Sequence, residues 1–227
     1  MRQTLSIDPK RAALLLIDLQ EEQRHDPYYV AADFDAVLAS ARQLLDAARA
    51  NGVRVIHAAY KRDFRVVPRR PFEPLTPEGR PTFSDVHSPL TAICGEVAPR
   101  AGETVITKND ASAFSTGDLE PLLRAFAIEW LIIGGVWTEA CVAATVRDAI
   151  ARGLRVLLVK DACGSETVAM HQTGVLNLAN RLSGGAVAGA ETASRLIAGA
   201  AADVWVAEKP VPILFGYGDA GLRYEAL

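Results

Sequence analysis

Short apolar runs alternate along the chain with longer stretches whose apolar residues recur every three or four positions. Runs rich in β-branched residues predict buried strands, and the periodic stretches predict helices. Regular alternation of the two is typical of a three-layer α/β/α fold with a mainly parallel sheet covered on both faces. About six strands are expected, at Ala12–Leu19, Val53–Tyr60, Thr104–Lys108, Trp130–Val136, Leu154–Lys160 and Ala186–Ala188.

The periodic stretches between these strands carry signals for helix ends. Asp33 is placed to cap a helix that ends at Gly52, and Thr138 is placed to cap a helix that ends at Gly153. Further helices are predicted at 118–127, 166–181 and 191–200. The pattern therefore assigns residues 1–201 to one domain.

Two segments interrupt the alternation of strands and helices. Residues 61–102 are rich in proline and arginine, and they are too long for a plain connection. We expect them to fold over a site as a lid. Residues 202–227 show no clear helix or strand period, and we expect an extension that packs on the domain or on a neighbouring subunit.

Composition narrows the class of protein. The chain has 227 residues, 50% of them hydrophobic, and a net charge of −3, so neither nucleic acid nor a membrane is an expected partner. The segment Met1–Lys10 lacks the features of a signal peptide. Three cysteines without CxxC spacing argue against a disulfide framework or a zinc site. A reducing compartment, and hence a cytoplasmic location, is the expectation.

Three chemically distinctive residues lie at or just beyond the carboxyl ends of predicted strands, where open α/β sheets bind ligands. They are Asp18, Lys108 and Cys141. Taken singly, each has an ordinary explanation as a loop acid, a solvated lysine or a small apolar filler. Together, at one edge of one sheet, they would supply a base, a cation and a nucleophile.

The residues around all three resemble the motifs of isochorismatase-like cysteine hydrolases, a superfamily that includes nicotinamidases, N-carbamoylsarcosine amidohydrolase, maleamate amidases and biuret hydrolases. The matching stretches are LLLIDLQ, VITKNDASAF and GGVWTEACVAATVRDA. The resemblance covers residues 11–165 and continues more loosely to residue 200. It implies a Rossmann-like sheet with the strand order 3-2-1-4-5-6, an Asp18–Lys108–Cys141 triad and a cis peptide bond between Val136 and Trp137. It also implies a homodimer or homotetramer. Proximity of the three residues alone favours a different strand order, in which the first, third and fourth strands are neighbours.

Simple electrostatics is compatible with that triad. An ordinary thiol has a pKa of roughly 8.5, and a helix N-terminus contributes only about 0.3–1 kcal/mol towards ionising it. The Lys108 ammonium would supply the remainder, so we expect the pKa of Cys141 to be depressed. Asp18 would accept the thiol proton. The backbone amides of Trp137 and Cys141 would form the oxyanion hole.

The substrate pocket is less well defined by the sequence. Arg62, Phe64, Phe114 and Trp137 are candidate substrate contacts. The arginines of the lid either face solvent or bind a substrate carboxylate. The second strand is followed by HAAYKRDF, without the Asp-x-His cluster of metal-binding nicotinamidases, so neither a metal nor another cofactor is expected.

The expected function is hydrolysis of a non-peptide C–N bond in a small amide, urea or N-carbamoyl compound through a thioester. One alternative is an isochorismatase-type vinyl-ether hydrolase, and another is a non-catalytic binding or scaffold protein of the same fold. Thiol reactivity distinguishes a non-catalytic scaffold protein from a cysteine-dependent amidohydrolase. An activated Cys141 is expected to be alkylated at neutral pH much faster than Cys94 or Cys163.

Overall fold

The computed structural model describes residues 1–80, 82, 84–207 and 212–227. Within these residues one eight-stranded sheet forms the centre of the fold. Its strands are β1 (Arg2–Leu5), β2 (Ala12–Ile17), β3 (Arg54–Tyr60), β4 (Thr104–Lys108), β5 (Trp130–Val136), β6 (Arg155–Gly164), β7 (Ala186–Ala188) and β8 (Ala202–Trp205).

Six of these strands are parallel neighbours in the order β4-β3-β2-β5-β6-β7. They are the six strands that the apolar runs predict, in the order that the resemblance implies. Beyond β7 the sheet continues with β8 and then β1, which pair antiparallel. These two strands are short and lie at an edge, and β1 is largely exposed, so their own residues carry little hydrophobic pattern.

Helices cover both faces of the sheet, which gives the predicted three-layer α/β/α architecture. α2 and α6 pack on one face against Leu14 and Leu16, and the remaining long helices pack on the other face against Leu15 and Ile17. The helices are α1 (Glu22–His25), α2 (Phe34–Ala50), α3 (Leu119–Ala125), α4 (Ala143–Ala151), α5 (Val168–Ala179), α6 (Ala190–Ile197) and α7 (Ala220–Glu225). None of these described helices combines the length and apolar character that a membrane crossing requires.

The predicted helix caps were wrong in their chemistry. Asp33 stands at the start of α2, but its side chain makes no capping hydrogen bond. The chain after β5 begins with a π turn, Thr138–Val142, before α4 starts. The Thr138 hydroxyl donates to the carbonyl of Gly164 at 3.0 Å, so it joins this turn to the end of β6 and does not cap the helix.

Gly135 brings β5 and β2 together just below the edge where Asp18 and Cys141 lie. Its φ is +137°, and a Cβ at this position would lie 2.2 Å from the carbonyl oxygen of Ile17. No side chain fits there, because real Cβ atoms do not approach backbone oxygens so closely. The glycine therefore permits the close approach of the strands that carry the nucleophile and the acid.

The two unusual segments join the body of the fold. The tail contributes β8 to the sheet and α7 to a contact with α5, where His171 Nε2 lies 3.0 Å from the Tyr224 hydroxyl. Residues 208–211 of this tail lie outside the described residues, as do Pro81 and Phe83 of the predicted lid. Within the predicted lid, Ser84 reaches Glu22 after β2, whereas Glu96 and Ala98 accept hydrogen bonds from arginines of α2.

Candidate active site

Asp18, Lys108 and Cys141 meet at the carboxyl edge of the sheet. Asp18 directly follows β2, Lys108 is the last residue of β4, and Cys141 lies in the π turn after β5. The Lys108 ammonium lies 2.8 Å from Asp18 Oδ2 and 3.3 Å from Cys141 Sγ. The three chemically distinctive residues of the sequence therefore form one contiguous cluster.

Lys108 reaches this cluster from two strands away, because β3 separates β4 from β2. Neighbouring strands are about 4.8 Å apart, a gap that the long lysine stem crosses. The ammonium passes 4.5 Å from the ring centroid of Tyr60, the residue paired with Lys108 on β3, and also donates to the Asp110 carbonyl. Burial alone would lower the pKa of Lys108, but the Asp18 carboxylate, together with the Cys141 sulfur when it is ionised, outweighs burial and raises that pKa.

Asp18 sits in an uncommon backbone conformation, with φ +54°, and its amide donates to the carbonyl of Ala58. The residue as a whole is 3% exposed. Burial raises the pKa of this carboxyl group, against the opposing effect of the Lys108 ammonium. Oδ1 is buried and has no hydrogen-bond partner among the described residues, so it is available to accept a proton in the cavity.

The Cys141 thiol has a raised pKa, contrary to the expectation from the sequence. Burial and, to a smaller extent, the nearby Asp18 carboxylate raise the pKa of Cys141 to about 12, because the opposing effect of the Lys108 ammonium does not compensate for them. The sequence argument counted the ammonium but had no measure of burial. The resting site therefore holds a neutral thiol beside an Asp18–Lys108 ion pair.

We expect alkylation of Cys141 to depend on pH as the chemistry of a neutral thiol requires. Iodoacetamide reacts with thiolate, so the rate should rise about tenfold per pH unit between pH 7 and pH 9. Cys141 should still react before Cys94 and Cys163, because those two are 0% and 2% exposed. Peptide mapping after timed labelling gives the three rates. A Cys141 rate that stays constant from pH 6 to pH 8 would show a thiolate at rest and contradict the raised pKa.

A cavity of about 240 Å³ opens above Cys141. This is slightly below the range of roughly 300–1,000 Å³ for drug-sized ligands, so the space suits a small molecule. Trp137 forms part of the wall; its indole N–H donates to Gln23 Oε1 at 2.8 Å, and its ring lies 5.8 Å from that of Tyr29. The described lining residues are Asp18, Glu22, Gln23, Asp26, Tyr29, Tyr60, Ser84, Ala111, Val136, Trp137, Ala140 and Cys141.

Trp137 follows β5 across a peptide bond with Val136 that is cis. Of the candidate substrate contacts, it is the one that lines this cavity. Arg62 and Phe64 do not, because the Arg62 side chain is buried against Glu73, the carbonyl of Pro68 and the Phe64 ring.

Phe114 is also absent from the cavity wall. It is a core residue, 5% exposed, and its outer face contacts the guanidinium of Arg152. Arg62, Phe64 and Phe114 therefore do not line this cavity, and their role as substrate contacts stays a prediction. Proximity to the motifs along the chain did not reveal which way these side chains turn.

Several wall residues were missed by the sequence analysis. Glu22 and Tyr29 follow the Asp18 motif, Tyr60 ends β3 and Ser84 belongs to the lid. The acids around Glu22 offered a weak signal, since four acids fall within the nine residues from Asp18 to Asp26. Which of these acids face the cavity and which face solvent depends on the conformation of the turn after β2, and hydrophobic periodicity does not predict that conformation.

One group of side chains among the described residues has metal-ligand spacing, namely Glu21, Cys94 and Glu96. Arg24 donates hydrogen bonds to both of these carboxylates, so a guanidinium already balances their charge. None of the three lines the cavity. His57 is likewise occupied, with its Nε2 3.2 Å from Glu103.

Fold and site together define a hydrolase-type α/β protein with an acid, a lysine and a cysteine at one sheet edge. A model of the isochorismatase domain matches residues 12–192, and the chain belongs to the isochorismatase family. Maleamate amidohydrolase from Pseudomonas putida is 31% identical to it over 179 residues, which are 74% of this chain and 79% of that protein.

Two further similarities are informative. N-carbamoylsarcosine amidase from Arthrobacter sp is 38% identical over 85 residues, which are 37% of this chain and 32% of that protein. A cysteine hydrolase structure from Pseudomonas syringae pv. phaseolicola superposes with a TM-score of 0.75 at 22% identity, covering 85% of this chain and 95% of that one. At that identity the likeness concerns the fold. The chain is thus an isochorismatase-family hydrolase with amidohydrolases among its relatives.

Proposed function

We propose that this protein is a cysteine-dependent amidohydrolase that cleaves a C–N bond of a small amide, urea or N-carbamoyl compound. The observation that carries the proposal is the contact of one buried ammonium, Lys108, with both the Asp18 carboxylate and the Cys141 sulfur inside a ligand-sized cavity. The amidohydrolase relatives support the class of bond. Maleamate and N-carbamoylsarcosine are named for those relatives and are not assigned to this protein.

In the first half of the proposed reaction, Cys141 Sγ attacks the carbonyl carbon while Asp18 takes the thiol proton. The raised pKa of Asp18 makes it a stronger base than an ordinary carboxylate. The carbonyl π electrons move to oxygen and form an oxyanion. When the oxyanion collapses, the C–N bond breaks, the departing nitrogen takes the proton from Asp18, and a thioester remains on Cys141.

In the second half, Asp18 takes a proton from a water molecule whose oxygen attacks the thioester carbon. Collapse of the second oxyanion breaks the C–S bond, and Asp18 returns the proton to sulfur. The net change is amide plus water to carboxylic acid plus amine. No histidine is needed, since one carboxyl group handles both proton transfers.

Two groups stabilise charge in this scheme. Lys108 stays protonated, because the Asp18 carboxylate raises its pKa and the Cys141 sulfur does so once it is ionised, and it stabilises negative charge as it develops on sulfur. The amides of Trp137 and Cys141 are proposed to bind the oxyanion. Both residues line the cavity, which supports this role.

The proposal is tested by measuring ammonia or amine release from a panel of small amides, ureas and carbamoyl compounds. At least one should be hydrolysed by the wild-type protein and not by Cys141→Ala. Hydrolysis of isochorismate with no amide turnover would favour the vinyl-ether reaction instead. Absence of both reactions, together with slow labelling of Cys141 equal to that of the buried cysteines, would favour a binding or scaffold protein.

A further inference from the structure

The cavity wall carries negative charge that no cation of the wall balances. Three acids line it, namely Asp18, Glu22 and Asp26, and no lysine or arginine is among its described lining residues. Lys108 lies behind Asp18 and pairs with it. Glu22 and Asp26 have no ion pair with a described residue. A carboxylate-bearing substrate would therefore meet two uncompensated acids.

Two arginines of the predicted lid are already paired with acids of this protein. Arg62 bonds to Glu73 and is 2% exposed. Arg70 lies 2.9 Å from Asp110. These two guanidiniums are engaged and lie outside the cavity wall, so neither offers a forked donor pair to a substrate carboxylate. Lys61 and Arg69 have no ion pair with a described residue, but they are not among the described lining residues either.

Glu22 is held in a fixed position at the cavity wall. It is 5% exposed, its Oε1 accepts the Ser84 hydroxyl at 2.7 Å, and its Oε2 accepts the Ser84 amide at 3.1 Å. Each carboxylate oxygen keeps a further lone pair for a donor in the cavity. Asp26 is held by the amides of Tyr28 and Tyr29 on Oδ1.

Aromatic rings complete the surroundings of these acids. Tyr29, Tyr60 and Trp137 line the same cavity, and the faces of such rings attract cations, as the Lys108 ammonium beside Tyr60 already shows. A wall of rings with carboxylates is suited to an ammonium or guanidinium group, because both features favour positive charge.

A second, more open pocket adjoins the cavity, and acids also predominate over bases among its described lining residues. It shares Glu22, Asp26 and Ser84 with the cavity and adds Glu78 and Asp85. Its described basic residues are Arg80, 3.8 Å from Glu78, and His87, 3.9 Å from Asp63. Acids outnumber bases there as well, so the approach attracts cations.

We propose that this site selects amides that carry a cationic group, such as an alkylammonium, and that Glu22 is the residue that determines this preference. The inference rests on the proposed amidohydrolase function and names its substrate class. It replaces the carboxylate-bearing substrate that the arginines of the lid suggested.

The ionisation of Glu22 gives the preference a pH dependence. Burial, with a smaller contribution from the charges of Asp18 and Asp26, raises the pKa of Glu22 to about 7 against the opposing effect of the two hydrogen bonds from Ser84. The carboxylate form gains population as pH rises through 7, while an alkylammonium stays protonated. Preference for a cationic over a neutral amide should therefore increase between pH 6 and pH 8.5.

The test uses three primary amides of equal length that end in an ammonium, a hydroxyl or a carboxylate group. Ammonia release gives kcat/KM for each at pH 6, 7 and 8.5. We expect the ammonium amide to exceed the hydroxyl amide by about tenfold or more at pH 8.5, and the carboxylate amide to be the poorest. Glu22→Gln should lower the ammonium-to-hydroxyl ratio about tenfold and remove its pH dependence.

Glu21→Gln is the matched control, because it removes the same charge one residue away without touching the cavity wall, and Arg24 keeps its second partner, Glu96. This variant should keep the wild-type ratio. A best substrate that carries a carboxylate, or an unchanged ratio in Glu22→Gln, would overturn the preference while leaving the amidohydrolase intact.

Binding measurements on an inactive variant test the preference for a cationic group independently of the proposed amidohydrolase activity. The same three amides are titrated calorimetrically into Cys141→Ala protein, with and without Glu22→Gln. Tightest binding of the ammonium amide, weakened about tenfold by Glu22→Gln, supports the inference even if none of the three is hydrolysed. Equal binding of all three would overturn it whatever the outcome of the turnover assay.

Discussion

Cys141→Ala is expected to lower kcat/KM for amide hydrolysis by about four orders of magnitude or more, to the limit of detection. Loss of a nucleophile removes the covalent route entirely, and the remaining site only binds and polarises the carbonyl. Cys141→Ser should also be severely impaired. A hydroxyl has a far higher pKa than a thiol, and the single carboxylate of Asp18 is a weak base for it.

The reaction intermediate provides a second measurement for the same prediction. Acid quenching of wild-type protein during turnover should give a mass increase on the peptide that contains Cys141, corresponding to the acyl or carbamoyl group. Cys94→Ala is the control, because Cys94 is buried away from the cavity wall and its loss should leave turnover within a fewfold of wild type. Turnover by Cys141→Ala near the wild-type rate would refute the covalent mechanism.

Lys108→Met is expected to impair both stability and activity. The side chain is fully buried beside an almost fully buried Asp18, and removing one member of such a pair leaves the other charge uncompensated. We expect a loss of about 3–5 kcal/mol in the free energy of unfolding, measured by urea denaturation. Turnover should fall by about 100-fold or more, because no cation remains to stabilise charge on sulfur.

The double variant Asp18→Asn/Lys108→Met distinguishes the two effects. With both charges gone, much of the lost stability should return, since an uncharged asparagine is less costly to bury than a lone carboxylate. Activity should not return, because the proposed base is absent. A Lys108→Met protein as stable as wild type would show that the ion pair does not have the energetic role inferred from its burial.

The core of the fold was predictable because its residues carry local signals. Strands β2, β3 and β5 are nearly continuous apolar runs, and a parallel sheet buried on both faces requires such runs. β6 was predicted to end at Lys160 but continues to Gly164. Its last residues are polar or small, and they belong to the sheet through pairing with β5, where Cys163 lies opposite Gly135.

The positions of charged side chains were less predictable than the strands. Arg62 reads along the chain as an exposed lid residue, yet it is 2% exposed and bonded to Glu73. Glu22 reads as one acid in a polar stretch, yet it lines the cavity. Whether a long polar side chain is buried depends on partners that are distant in sequence, and hydrophobic periodicity does not predict those contacts.

The sequence by itself determined the α/β class, the six parallel strands and the three residues that converge at their carboxyl edge, because strand ends and motif spacing are local properties. Only the tertiary structure decided the protonation of that site and the charge of its pocket. The pKa of Cys141 depends on how much solvent the fold removes and on the balance between Asp18 and Lys108. The negative charge of the cavity wall depends on which side chains line the cavity and on which cations already pair with other acids. Burial and pairing are sums over neighbours in space, and these exist only once the chain has folded.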